Sequence, residues 1–181
     1  MNKNFLKAIS EIIRDIDINK IKSATKIILK KKKNNKIILA GNGASATISS
    51  HLAVDLTKSA KIRAVNFNEA GLLTCFSNDY GYENWLKKAL EFYSIPGDIV
   101  ILISSSGNSK NIINAAKVSK KLQLKLITLS GFSKENQLQN KGDVNFHVTS
   151  NNYNVIESIH LIILLQIVEN LLLKKNKITN F

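Results

Sequence analysis

Two stretches of this chain have the composition of an anion cradle. Gly41-Asn42-Gly43-Ala44-Ser45 follows the apolar run Ile37–Ala40, and Ser104-Ser105-Ser106-Gly107-Asn108-Ser109 follows the run Ile99–Ile103. A small-residue loop between a strand and a helix exposes backbone N–H groups and hydroxyls at the positive end of the helix, which is how proteins hold phosphate. The first loop lacks the spacing of the dinucleotide fingerprint and the lysine of a nucleotide P-loop. Taken alone, it reads equally well as a tight turn in which glycine relieves strain. The second is more specific: four serine hydroxyls and an amide surround one glycine, whereas a plain helix cap needs only Ser109 or Asn108. Two such loops in one chain point to a phosphorylated small molecule.

Proton carriers stand at helical spacings. His51 and Asp55 are i, i+4 on the helix expected after the first loop, so their side chains leave one face. An imidazole beside a carboxylate can move protons, hold a metal, or simply make a surface contact. Glu157 and His160 are i, i+3 on a very apolar final helix, where ionisable groups are costly to bury without partners. They face a cleft, a subunit boundary or an exposed stripe. His147 alternates with Phe146 and Val148 and reads as a sheet-edge residue. Cys75 reads as a small core residue, and Tyr82 and Trp85 as packing residues of a helix.

The elements that must position these groups alternate. Helical spacing over Phe5–Lys33, broken near Asp17–Asn19, predicts two helices or one kinked helix. Strands are predicted at Lys36–Ala40, Ile62–Phe67, Ile99–Ser104, Lys125–Leu129 and Val144–Val148, with helices at Ser45–Lys58, Tyr82–Tyr93, Asn111–Lys121 and Ile156–Leu173. Ile95-Pro96-Gly97-Asp98 is a turn that launches the third strand. Apolar strands alternating with helices imply an α/β, three-layer αβα sandwich around a five-stranded parallel sheet. Ligands bind beyond the carboxyl ends of such strands, where both loops fall.

Length and composition bound the rest. The chain has 181 residues, enough for one well-buried core, and no linker divides it, so one domain over 1–181 is expected, with 1–34 as an N-terminal helical segment. A single cysteine excludes an internal disulfide and fits a reducing cytoplasm. Met1–Asn19 carries Lys3, Lys7, Glu11, Arg14, Asp15 and Asp17 and lacks the pattern of a secretory signal, so a cytoplasmic location is expected. Glu157, His160, Gln166, Glu169 and Asn170 interrupt Val155–Leu173, which argues against a membrane span. The formal charge of +13 is spread along the chain. Its one basic run, Lys30–Lys33, sits at a helix end, where cations oppose the dipole, so nucleic acid is not the expected partner.

GNGAS followed by His51 and Asp55, then Ser77-Asn78-Asp79-Tyr80-Gly81-Tyr82-Glu83-Asn84, then SSSGNS, Ser150-Asn151-Asn152, Glu157 and His160, together resemble the sugar isomerase (SIS) domain family. Within it they look like the phosphoheptose isomerases. The resemblance implies a flavodoxin-like SIS fold whose N- and C-terminal helices make subunit contacts in a homotetramer with sites between subunits. It also implies an aldose–ketose isomerase that converts sedoheptulose 7-phosphate to a heptose 7-phosphate through an enediol, for lipopolysaccharide or capsule heptose synthesis.

By position in the family pattern, Ser104, Ser106 and Ser109 hold the phosphate with Ser105 and Asn108 nearby, while Asn42, Gly43, Ala44, Ser45, Asn78 and Asp79 bind the sugar. His51, Asp55 and Glu157 fall on metal-binding positions, with zinc as the expected ion, and Asp55 on that of the catalytic base. Five residues after His160, where the pattern carries a second catalytic histidine, this chain has Leu165. Leucine neither donates a proton nor binds zinc. The acid therefore falls to His160, to Glu157, or to a histidine of a neighbouring subunit. The same departure suits an alternative, a non-catalytic SIS scaffold that binds sugar phosphates or protein, resembling the replication-initiator-associating protein of the family.

Overall fold

The computed structural model describes residues 3–179; Met1, Asn2, Asn180 and Phe181 lie outside the described residues. Two helices open the chain, α1 (Lys3–Arg14) and α2 (Ile18–Leu29). The break between them has a local cause: the Asp17 carboxylate caps α2 by accepting from the backbone N–H groups of Asn19 and Lys20 at 2.9 and 3.2 Å. There follow β1 (Ile37–Ala40), α3 (Ala44–Lys58), β2 (Ala64–Asn66), α4 (Ala70–Tyr80), α5 (Trp85–Tyr93), β3 (Ile99–Ser104), α6 (Lys110–Lys121), β4 (Lys125–Gly131), β5 (Val144–Val148) and α7 (Tyr153–Thr179).

All strand pairs are parallel, in the order β2-β1-β3-β4-β5. This is the flavodoxin-like order, whose switch point lies between β1 and β3. Alternation along the strands divides the core in two. Ile37 and Leu39 of β1 and Ile99, Ile101 and Ile103 of β3 pack with α1, α2, α3 and α7, whereas Ile38, Ala40, Val100 and Leu102 pack with α5 and α6. The fold is thus the three-layer sandwich expected from the sequence. The N-terminal segment packs on its own chain: Ile21, Ala24 and Ile28 of α2 are buried, and Phe5, Ile9 and Ile12 of α1 lie against the same core.

The stretch Tyr153–Lys174 of α7 is long and apolar enough to cross a membrane by length and composition, but half of it is buried inside the protein. Val155, Ile156, Ile159, Ile163, Leu164, Ile167, Val168 and Leu171 form that buried side. It is the helix that closes one face of the sheet.

One element departs from the sequence reading. Residues 70–80 form α4, a helix not expected, and none of its residues is buried. Cys75, expected in the core, is exposed on it. The helix predicted from Tyr82 begins only at Trp85, because Gly81 takes a φ of +80° and residues 82–84 form a turn. Trp85 is buried as expected, but Tyr82 is 53% exposed. Three smaller expectations hold: β5 is an edge strand carrying His147, the lysine run begins at the C-terminal cap of α2, and residues 95–98 turn into β3.

At the opposite end of the sheet from the loops, Asp98 is fully buried. It accepts from Lys36 Nζ at 2.7 Å, from the Lys36 and Ile95 backbone N–H groups at 2.9 and 3.1 Å, and from Asn35 Nδ2 at 3.2 Å. Burial alone pushes its pKa up, but these donors outweigh it and hold the carboxyl below its ordinary value. This one carboxylate ties the start of β1 to the turn entering β3.

Candidate active site

The loops after β1 and β3 adjoin because their strands are neighbours, with Ala40 paired to Leu102. Each begins a helix without a side-chain cap. Gly43 precedes α3 at a φ of +54°, and Ser109 precedes α6; neither makes a side-chain cap hydrogen bond. The first-turn N–H groups of α6 thus remain available to an anion, whereas at α3 the Ser45 and Ala46 N–H groups donate to the Asn42 and Gly43 carbonyls at 3.0 Å.

The serine loop is firmly held. Ser104 and Ser105 are buried, Ser104 Oγ donates to Ser109 Oγ at 3.2 Å, and Ser106 Oγ accepts from the Asn108 N–H at 3.2 Å. Gly107 has a φ of +64°, and a Cβ there would collide with the Asn136 side chain. Residues 132–141 buttress the loop from behind: the Leu138 N–H donates to the Gly107 carbonyl at 2.9 Å, and the Gln137 N–H donates to Asn108 Oδ1 at 3.1 Å. The Asn108 side-chain oxygen is therefore committed to that support, while the hydroxyls of Ser104, Ser106 and Ser109 gather at the loop.

A cavity of about 390 Å³ lies between the two loops, lined by Asn42, Gly81, Tyr82, Ser109, Lys110 and Asn111 among others. Asn42 and Asn111 exchange two amide hydrogen bonds, both of 2.9 Å, and the Tyr82 hydroxyl donates to Asn42 Oδ1 at 3.1 Å. Tyr82, Lys110 and Asn111 were not singled out as site residues from the sequence; Asn111 bonds a partner 69 positions away. Ala44 is exposed at the first turn of α3 and Ser45 is buried beneath it. Asn78 and Asp79 stand exposed on the last turn of α4, bonded to each other at 3.0 Å, and do not line the cavity.

The His51–Asp55 pair forms as its spacing requires, with Nε2 and Oδ2 3.1 Å apart and the side chains 50% and 29% exposed. It lies two turns, about 10 Å, along α3 from the first loop. Neither residue lines the cavity.

A family model of the SIS domain matches residues 4–131. The phosphoheptose isomerase of Aliarcobacter butzleri is 37% identical over 162 residues, covering 83% of this chain and 84% of that protein. The chain belongs to the phosphoheptose isomerase family. That of Buchnera aphidicola is 32% identical over 175 residues, covering 90% of this chain and 87% of the relative. The solved phosphoheptose isomerase from Neisseria gonorrhoeae superposes with a TM-score of 0.84 at 26% identity, covering 93% of each chain.

Against the phosphoheptose isomerase pattern, α7 supplies less than its sequence suggested. Glu157 is half-buried, and the Ser105 hydroxyl reaches its Oε1 at 3.5 Å, the outer limit of a hydrogen bond. His160, expected as a catalytic residue, is 0% exposed, with Nε2 3.0 Å from the Ser130 carbonyl oxygen. Its Nδ1 has no partner among the described residues. Burial pushes its pKa down to about 4, against a raising contribution from the Ser130 carbonyl and with His147 lowering it further. A neutral imidazole enclosed beneath β4 reaches no substrate, so His160 is a core residue that orients the end of β4.

The expected zinc set also fails to assemble within one protomer. Among the described residues no group of three or more His, Cys, Asp or Glu side chains comes together. Glu157 turns to the serine loop and Leu165 is half-buried against the core, which leaves His51 and Asp55 as a pair of donors. Zinc takes three or four protein ligands; the donor set of one chain does not fit it.

Proposed function

We propose that this protein is a sugar-phosphate isomerase interconverting a 2-ketose phosphate and an aldose phosphate through an enediol, with sedoheptulose 7-phosphate as substrate. The observation that carries the reading is the junction of two uncapped helix starts at the switch point, with the serine cradle on one side and Asn42 on the other. Ser104, Ser106 and Ser109, with the N–H groups opening α6, take the phosphate. Asn42, Gly43 and the start of α3 take sugar oxygens.

The reaction needs a base for the carbon-bound proton and an acid at the carbonyl oxygen. Asp55 is the base. His51, held 3.1 Å from it, is the group that can carry a proton to or from oxygen. Since the chain brings no third donor to His51 and Asp55, no step is assigned to a metal.

His51 lies about two turns along α3 from the first loop, and the site is completed by a second copy, whose α3 brings His51 and Asp55 to the substrate held by these loops. A homotetramer accommodates such shared sites. The largely exposed outer side of α4, together with Phe92, Leu173 and Ile18 at 65%, 58% and 55% exposure, supports association.

Incubation of the protein with sedoheptulose 7-phosphate, with and without added zinc, tests the reading. Aldose product is expected. Tight sugar-phosphate binding with no product under any metal condition would leave the scaffold alternative in its place.

A further inference from the structure

Asn111 has no part in the chemistry above, yet it is the most confined polar side chain on the cavity wall. It is 2% exposed on the first turn of α6. Its Nδ2 donates to Asn42 Oδ1 at 2.9 Å, and its Oδ1 accepts from Asn42 Nδ2 at 2.9 Å. The Tyr82 hydroxyl reaches the same Asn42 Oδ1 at 3.1 Å. A carboxamide oxygen has two acceptor sites and its nitrogen two hydrogens. Both acceptor sites of Asn42 are therefore filled, and one of its two hydrogens is in use. One N–H remains.

We propose that Asn111, assisted by Tyr82, is a positioning residue that latches the Asn42 amide so that it offers the sugar a single donor and no acceptor. The proposal rests on the reading of Asn42 as a sugar-binding residue. So held, Asn42 recognises a sugar oxygen through its lone pairs, and it best suits an oxygen that gains negative charge as the enediol forms. The latch also joins the loop after β1 to the helix after β3, which fixes the sugar end of the site relative to the phosphate end. Tyr82 adds a contact from the turn after α4, so three separate elements set one amide.

The test uses the full chain, with affinities for sedoheptulose 7-phosphate and for inorganic phosphate measured by calorimetry and kcat and KM measured separately. Asn111→Asp replaces the donor to Asn42 Oδ1 with an acceptor and should turn the amide outward, weakening sugar-phosphate binding about tenfold, while phosphate affinity stays within twofold. Tyr82→Phe alters only an exposed hydroxyl and should weaken it about threefold. In an Asn42→Ala background neither change should have a further effect.

Parallel loss of phosphate affinity in Asn111→Asp would make Asn111 a mere support of α6 and overturn the latch. So would effects that persist without Asn42. Should Asn111→Asp fail to fold, an unchanged sugar-phosphate affinity in Tyr82→Phe overturns it alone. A wild-type chain that binds the ester but does not turn it over refutes the isomerase reading and leaves the latch standing on the binding data. One that binds it no better than phosphate refutes the latch.

Discussion

Asp55 and His51 face each other at 3.1 Å on α3, the one half-buried and the other exposed. Asp55→Asn keeps the shape and removes the proposed base. Turnover of sedoheptulose 7-phosphate should fall at least about a hundredfold, with phosphate affinity and melting temperature unchanged; a smaller loss would move the base elsewhere. Gly107 is the converse case, with a role in shape alone. Its positive φ and the Asn136 side chain behind it leave no room for a methyl group. Gly107→Ala should cost about 2 kcal/mol of stability in chemical denaturation and weaken phosphate binding, because the strain falls on the cradle itself. Both loops could be read from the sequence because their signal is local composition. The Asn42–Asn111 bond could not, since nothing near either residue announces a partner 69 positions away. His160 was misplaced for a related reason: an apolar helix shows which residues are greasy, not which side of it the sheet will cover.

At the scale of elements, the apolar runs that became β1, β3 and β4 were legible because strands buried on both faces leave few polar residues, and β5 was legible because its buried Val144, Phe146 and Val148 alternate with half-buried Asn145 and His147. α4 was not. Its N-cap is Glu69, whose carboxylate accepts from Gly71 and Leu72 N–H groups at 2.8 and 2.7 Å, an unusual residue for that position. Its C-terminal half, Ser77-Asn78-Asp79-Tyr80, has the composition of a turn, and its inward face is only Leu72, Leu73 and Phe76, partly buried, which is too short a periodic imprint to set it apart. Asp98 shows how elements are tied where composition is silent. Removing it in Asp98→Ala leaves Lys36 and two backbone N–H groups without their acceptor. The cost should be about 3 kcal/mol, read as a lower urea midpoint, with the loops at the far end of the sheet still binding phosphate.

For the whole molecule, two buried groups make stability depend on pH in the same direction. His160 takes a proton near 6.5 when unfolded but only near 4 when folded, so the unfolded chain binds more protons between those values and stability falls as pH drops through them. The loss approaches roughly 3 kcal/mol by pH 4. Asp98, with its folded pKa lowered from 3.8, adds a further loss only at lower pH. Urea unfolding from pH 7 to pH 4 should show this decline, and His160→Gln should flatten it; an unchanged slope in that variant would place the titrating group elsewhere. Association is the other molecular property at stake. Sedimentation should give a tetramer, and a purely monomeric species that is fully active would show that one copy suffices.

The pairing of Ile37 with Ile99 and of Ala40 with Leu102 has a kinetic corollary. A ribosome must release both halves of the proposed cradle, from the first glycine loop through Ser109, before either has a neighbour to complete it. No nascent fragment ending earlier can hold a phosphate ester between the two loops, so such a ligand binds only chains that extend past Ser109. At a hundred times its dissociation constant it should raise the unfolding free energy by about 2.7 kcal/mol, protecting amides throughout the sheet and not merely those of the loops it touches.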